Sequence, residues 1–288
     1  MKVDGFPAVP HVSVGPGEEA GRPLRILVVI PTLGQRLQTL GRTLASIRAQ
    51  VGVAVDALLV AGTRTAELAA VADRHRAGIL VHPGNISAAV NAGFAQARDT
   101  HRYACWLGDD DMLRPGALAR ASALLERHPA AIVAYGACDY VDIDGQLLFN
   151  RRPPPQAPAL LQFVPGLIKQ ETCLFRVSAL QRAGDLDERL KYTMDLDLLL
   201  RLRRLGPFVE VASVQAAFCW HAGSITIANR QASLAEAQAV QSRHARGLAR
   251  WLGPLWKPLV RWLILAMSWK ISRGSLRPAA PAVRSDGR

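Results

Sequence analysis

Apolar positions along this chain fall into two alternating rhythms. Arg25-Ile-Leu-Val-Val-Ile30 is an unbroken branched apolar run stopped by Pro31, the pattern of a strand buried on both faces. A helical stretch is expected from about Gln38 to Gln50, then a strand over Val55–Val60, a helix over Thr65–Arg76, a short strand over Gly78–Val81 and a helix over Ser87–Ala97. Tyr103–Leu107 reads as a fourth strand. A helix opened by Pro115, where the missing N–H does no harm, runs to about Arg127, and Ala131–Tyr135 reads as a fifth strand. Strands alternating with helices of this length predict a parallel sheet with helical crossovers. The rhythm then breaks. Asp142-Ile-Asp-Gly145 predicts a hairpin turn, and Pro153-Pro154-Pro155 forces an extended loop. Looser alternation over Ile168–Arg176 precedes helices at Ser178–Ala183 and Thr193–Leu205 and a last strand near Phe208–Val214. Ser233-Leu-Ala-Glu236 has capping-box spacing and predicts the start of a C-terminal helix.

Composition narrows the class. The chain has 288 residues, half of them apolar and 20% charged, enough for one large domain or one domain with an appendage. Collagen, coiled coil and full disorder are excluded on composition, and the charge-free apolar stretches are shorter than the ~20 residues of a spanning helix. No GxGxxG turn follows the first strand, where Pro31-Thr32-Leu33-Gly34 stands instead, which disfavours a simple nicotinamide enzyme. The four scattered cysteines, Cys105, Cys138, Cys173 and Cys219, read as buried hydrophobes rather than a zinc site. Met1–Arg22 has no apolar central run, so it reads as a disordered lead-in rather than a signal peptide.

Charge is concentrated at one end. Ten basic residues and one acid, Asp286, fall between Arg243 and Arg288, so nine of the twelve net positive charges lie there. Arg246, Arg250, Lys257 and Arg261 share one side of an ideal helix, with Leu252, Leu255, Leu259, Leu263 and Ala266 opposite and Trp251, Trp256, Trp262 and Trp269 flanking the stripe. That distribution suits a kinked helix, interrupted at Pro254 and Pro258, lying in an anionic membrane surface. The alternative is a helix packed on the domain with a solvated basic side. A nucleic-acid partner is disfavoured, because the basic charge sits in a Trp-bearing amphipathic tail with no nucleic-acid motif.

The chemistry-bearing feature is Asp109-Asp110-Asp111, just past the carboxyl end of a buried strand, where ligands bind in open α/β sheets. Adjacent carboxylates repel unless something positive sits among them, and a divalent cation carrying a diphosphate meets that need. The competing reading is a solvated acidic turn capping the next helix. Asp195 and Asp197 lie about 200° apart on a helix, so only one of them can point into a site.

These segments together carry a resemblance. Ile26-Leu-Val-Val-Ile-Pro-Thr32, Thr43-Leu-Ala-Ser-Ile-Arg-Ala-Gln50, Asn85-Ile-Ser-Ala-Ala-Val-Asn-Ala-Gly93, Trp106-Leu-Gly-Asp-Asp-Asp-Met-Leu113, Tyr192-Thr-Met-Asp-Leu-Asp-Leu198 and His221-Ala-Gly-Ser224, in this order, resemble a family 2 glycosyltransferase with a GT-A fold. The resemblance implies an α/β fold, a mostly parallel nucleotide-binding sheet flanked by helices, over residues 24–225. Residues 1–23 would precede it as a disordered segment, and 226–288 would follow as a basic, amphipathic helical tail. It implies nucleotide-sugar contacts at Pro31, Thr32, Gly62, Asn91, Asp109 and Asp110. Mg2+ or Mn2+ would be held by Asp109, Asp111 and His221, the acceptor side would lie at Gln170 and Trp220, and Asp195 would be the catalytic base. Three positions depart from the family pattern. Val60-Ala-Gly-Thr63 lacks the carboxylate that contacts the base or ribose, Ala88 and Val90 replace polar or charged residues, and Trp220 stands where an Arg is common.

The implied reaction moves a sugar from a nucleotide-diphosphate donor to a glycan or lipid-linked glycan, with inversion, in polysaccharide or cell-envelope synthesis. The expected place is the cytoplasm, peripheral at the inner face of the membrane, with residues 243–273 on the lipid. A sugar-1-phosphate nucleotidyltransferase is the alternative within enzymes. It needs a Gly-rich basic loop after the first strand, and only Gly34 and Arg36 stand there. A non-catalytic membrane-binding module is the alternative outside them.

Overall fold

A computed structural model describes residues 25–220 and 229–245. The expected disordered lead-in, His221 with its loop, and the amphipathic tail beyond residue 245 lie outside the described residues. The apolar run after Arg25 forms β1 (Arg25–Thr32). It is flanked by β2 (Ala54–Ala61) and β4 (His101–Trp106), parallel on both sides, with β3 (Gly78–Val81) beyond β2. Ile26 to Ile30 are fully buried, as an apolar run without polar alternation requires of a central strand. The crossover helices are α1 (Leu37–Arg48), α2 (Ala66–Arg74) and α3 (Ile86–Phe94). Thr65 caps α2 by accepting the Leu68 N–H at 3.1 Å, and Asn85 caps α3 by accepting the Ala88 N–H at 3.0 Å. Gly93 lets the α3 backbone close on β1, since a Cβ there would stand 2.4 Å from Val29 Cγ1.

Beyond β4 the sheet changes character. The later strands are β5 (Met112–Leu113), β6 (Val133–Val141), β7 (Leu147–Arg151), β8 (Leu174–Arg176) and β9 (Phe208–Cys219). The sheet order is β3-β2-β1-β4-β8-β6-β9-β5, with β7 also on β6. The helices α4 (Ala117–Arg127), α5 (Ala157–Leu160), α6 (Val177–Ala183) and α7 (Met194–Leu202) lie between them in the chain. β6 and β9 are parallel, whereas β8 on β4, β8 on β6, β7 on β6 and β5 on β9 are antiparallel. The sheet is therefore mixed: its first four strands are parallel, as expected, and the parallel pair β6–β9 stands among antiparallel neighbours. β5 and β8 have two and three residues, too short to show any period in the sequence. β9 runs past the expected end at Val214, through register shifts against β6 near Gly136, and delivers Cys219 next to Val141.

The final described helix, α8, spans Arg230–His244. It begins before the Ser233–Glu236 motif, so that motif is not its capping box. Ser233 is buried within the helix, and Glu236 reaches instead to the backbone N–H groups of Lys191, Tyr192 and Thr193 at the entrance of α7. At the far end His244 meets Asp197 of α7 at 2.7 Å, and Gln241 donates to the Leu161 carbonyl at 2.9 Å. These contacts tie α8 along its length, and the compact unit to which it belongs runs to His244. Among the described residues no helix is long and apolar enough to cross a membrane.

Candidate active site

The ends of β1 and β4 build the acidic site. Leu107 continues the ladder by donating its N–H to Val29 O at 3.0 Å, and the chain then turns at Gly108 with Asp111 N–H on Gly108 O at 3.3 Å. Only glycine leaves room at this turn, because a Cβ at 108 would stand 2.7 Å from Asp111 Oδ2. Thr32, the last residue of β1, donates its hydroxyl to Asp109 Oδ2 at 2.7 Å and accepts the Gly34 N–H at 3.0 Å. Pro31 precedes it in register with Val60 of β2, and Gly62 follows β2 in open, exposed space.

Asp109 and Asp111 are each 5% exposed, so the trio is not an acidic turn facing bulk water. The positive group among them comes from the loop after β1. Arg36 donates to Asp109 Oδ1 and to Asp110 Oδ2, each at 2.5 Å. Asp111 takes the Cys219 N–H on Oδ1 at 3.0 Å. Burial, followed by the charges of Glu171 and Asp110, pushes the Asp111 carboxyl well above the usual range. Burial likewise raises Asp109, against the lowering effects of Thr32 and Arg36.

A second charged layer faces this one. Within a 3-10 turn at Gln170–Thr172 and the residue before it, Lys169 pairs with Glu171 at 3.2 Å and places its ammonium 4.1 Å over the Phe218 ring. Gln170 donates to the Trp106 carbonyl at 2.5 Å, which fixes the turn to the end of β4. Asp195, in the first turn of α7, feels both members of the pair. Burial raises its carboxyl, Lys169 and the Leu196 N–H oppose that rise, and Glu171 adds to it. Asp197 points away from this layer, to Arg201 Nε at 2.9 Å and to His244. Burial works against its ionisation, but His244 and Arg201 hold its carboxyl below the usual range.

The remaining expected site residues have defined surroundings. Both ends of the Asn91 amide engage the Leu186 backbone, at 2.8 and 3.0 Å, and the nitrogen also reaches Glu188. This side chain pins the loop before α7. Trp220 donates its backbone N–H to Val141 O at 2.7 Å and joins an aromatic cluster with Tyr140 and Phe149 at centroid separations of 5.5 and 6.2 Å. Arg36, the Lys169–Glu171 pair and Glu236 were not anticipated as parts of the site. The repulsion within the aspartate trio was the available signal for Arg36.

The implied divalent cation can be tested against these donors. No group of three or more His, Cys, Asp or Glu side chains among the described residues forms a closed metal cage. The donors instead fit a hard cation that takes one or two carboxylates and draws its other ligands from diphosphate and water. Asp111 is suited to that arrangement as a buried carboxylate with no cationic side chain bonded to it among the described residues.

Comparisons with known proteins bear on the fold and the family. The chain superposes on a mannosyltransferase, PcManGT, from Pyrobaculum calidifontis in complex with GDP-Man and Mn2+, with a TM-score of 0.60 and 14% identity over 98% of this chain and 80% of that one. It also superposes on residues 1–349 of S. aureus TarS in complex with UDP-GlcNAc, with a TM-score of 0.57 and 14% identity over 77% of this chain and 66% of that one. Against the longer TarS chain the TM-score is 0.53 at 13% identity, covering 80% of this chain and less than half, 44%, of that protein's length. At these identities the likeness establishes the fold, which is GT-A. No curated protein matches the chain. The Glycosyl transferase family 2 model matches residues 27–181, more than half of the chain. With that match laid over the β1 and β4 ends and the aspartate trio, the chain belongs to glycosyl transferase family 2 and is a glycosyltransferase.

Proposed function

We propose that this glycosyltransferase is metal-dependent and inverting, and that it moves a sugar from a nucleotide-diphosphate donor to a hydroxyl of a glycan or lipid-linked glycan. The observation that carries this reading is the pair of carboxylate layers. Asp109 and Asp111 stand at the strand ends, Asp195 stands at the start of α7, and the charge of Glu171 acts on both Asp111 and Asp195. Asp109 and Asp111 would hold Mg2+ or Mn2+, and the bound ion would neutralise charge on the departing diphosphate. His221 is an added ligand in this proposal. Pro31, Thr32 and Gly62 would line the nucleotide, and Gln170 and Trp220 the acceptor side.

Asp195 takes the proton of the acceptor hydroxyl while that oxygen attacks the anomeric carbon. The bond from carbon to the diphosphate oxygen breaks on the opposite face, and the configuration inverts. Burial supports this role, since it holds the Asp195 carboxyl above the usual range and nearer the pH at which a hydroxyl proton is transferred. The donors named for PcManGT and for TarS, GDP-Man and UDP-GlcNAc, support a nucleotide-diphosphate sugar without selecting its base.

Asp195→Asn tests the assignment. Transfer should fall by about 10²–10⁴-fold, with donor binding retained. Near-normal turnover in that variant, or full activity in excess chelator, would refute the base or the metal respectively. The basic, Trp-bearing segment at 243–273 supports a peripheral place on the inner, anionic membrane face, which vesicle binding tests.

A further inference from the structure

We propose that Arg36 is a built-in counter-cation. It occupies the aspartates while the donor site is empty, and it passes to the donor's diphosphate when donor and divalent cation enter. The proposal rests on the donor-binding reading above and adds a residue and an order of events to it.

The geometry of the guanidinium is the starting point. Its two terminal nitrogens span two different carboxylates, Asp109 through Nη2 and Asp110 through Nη1. Asp109 then accepts on both oxygens at once, from Arg36 on Oδ1 and from Thr32 on Oδ2. A divalent cation approaching Asp109 meets the like charge of the guanidinium at Oδ1, whereas the hydroxyl at Oδ2 carries none. Thr32 is buried at the end of a central strand, and its hydroxyl is also held by the Gly34 N–H. Arg36 is the donor able to move, since its side chain is 45% exposed. It stands one residue before α1, at the end of a four-residue excursion from β1 that contains Gly34 at φ +72°. A left-handed glycine in so short a connection gives the backbone a place to turn.

Charge explains why the exchange is favourable only with donor present. Without Arg36 the empty site would hold three adjacent carboxylates, two of them nearly buried. One guanidinium relieves that repulsion. An entering divalent cation supplies more positive charge to the same oxygens, and the diphosphate brings phosphate oxygens that suit the planar guanidinium fork as well as carboxylates do. Arg36 therefore exchanges one anionic partner for another and does not go unpaired. In the absence of diphosphate a cation must compete with it directly. The arrangement favours joint entry of cation and donor over loading of the bare ion.

The test separates cation binding from diphosphate binding. Mn2+ affinity of the donor-free full chain is titrated by electron paramagnetic resonance for the parent protein, R36Q and R36K. Uridine and guanosine diphosphate affinities are then measured calorimetrically with Mn2+ present. R36Q should bind bare Mn2+ about five- to tenfold more tightly than the parent and the preferred nucleoside diphosphate about tenfold more weakly. R36K keeps the charge but not the fork. It should leave Mn2+ affinity within about twofold of the parent and still weaken diphosphate binding, and it stands in for R36Q if that variant does not fold. Unchanged or weaker Mn2+ binding in R36Q, or unchanged diphosphate binding in both variants, overturns the role of Arg36 while leaving the donor reading intact. A parent protein that binds neither Mn2+ nor either diphosphate overturns the donor reading itself, and this proposal with it.

Discussion

Removing Glu236 should damage both stability and catalysis, although its side chain belongs to neither aspartate layer. Thr193, the residue that should cap α7, makes no side-chain capping bond to its own helix. Glu236 of α8 does that work from outside. Its Oε1 accepts the Tyr192 N–H at 2.8 Å, the Thr193 N–H at 2.9 Å and the Thr193 hydroxyl at 2.9 Å, and its Oε2 accepts the Lys191 N–H at 3.0 Å. One carboxylate therefore satisfies three consecutive backbone donors just before the turn that carries Asp195. Losing an ordinary N-cap costs about 0.5–2 kcal/mol, and hydrogen bonds to a charged acceptor contribute about 1.5–3 kcal/mol each when fully buried. Glu236 is only partly buried, so water can re-solvate some of the freed amides, and about 2–3 kcal/mol is a reasonable total for Glu236→Ala. For a unit of this size that corresponds to a fall of roughly 4–12 °C in Tm.

The catalytic consequence follows from position. A shift of the α7 entrance by about 1 Å moves Asp195 relative to the acceptor and can cost on the order of 10²-fold in kcat, with donor binding little changed. The pH dependence has a defined sign. Burial opposes ionisation of Glu236, but the three amides and the Thr193 hydroxyl hold its carboxyl below the ordinary value of 4.5. Its stabilisation is complete above that value and is lost as pH falls through the depressed one. The Tm difference between parent and Glu236→Ala should thus be constant at neutral pH and close in acid. Thermal denaturation across pH, with single-turnover transfer assays, measures both parts. A variant that melts within 1 °C of the parent and turns over normally would show that α7 is positioned by other contacts.

Two further outcomes are expected. Glu171→Gln removes a negative charge that raises Asp195 after the larger effect of burial, so the acidic limb of the kcat/KM profile should move to lower pH; movement to higher pH, or none, would disconnect the two layers. The full chain should co-sediment with vesicles containing anionic lipid, and release by salt should follow charge screening; full recovery in the supernatant at low salt would assign the basic segment to a packed helix instead.

What the sequence disclosed and what it concealed differ by range of interaction. β1 was legible because a central parallel strand must be apolar where it is buried on both faces, and that demand is written in five consecutive residues, Ile26 to Ile30. β5 and β8 were not, because a two- or three-residue strand takes its direction from the strand it meets. The same division runs through the site. Helical geometry alone required Asp195 and Asp197 to face apart, and Asp197 lies on Arg201 and His244 while Asp195 feels Lys169 and Glu171. The Ser233–Glu236 spacing was present and its local interpretation failed, since α8 starts at Arg230 and leaves Glu236 free to reach α7. A capping motif specifies a carboxylate able to accept amide protons but not whose amides it will meet; that is decided by packing between α7 and α8, which brings Glu236 to Thr193 across a separation of 43 residues in the chain. Arg36 is the same case with charge in place of amides. The trio of aspartates required a cation, and the chain holds 35 candidate basic residues. Only the short path from the end of β1 to the start of α1, laid beside the end of β4 by their parallel pairing, singles out Arg36 as the residue whose side chain reaches Asp109 and Asp110 together.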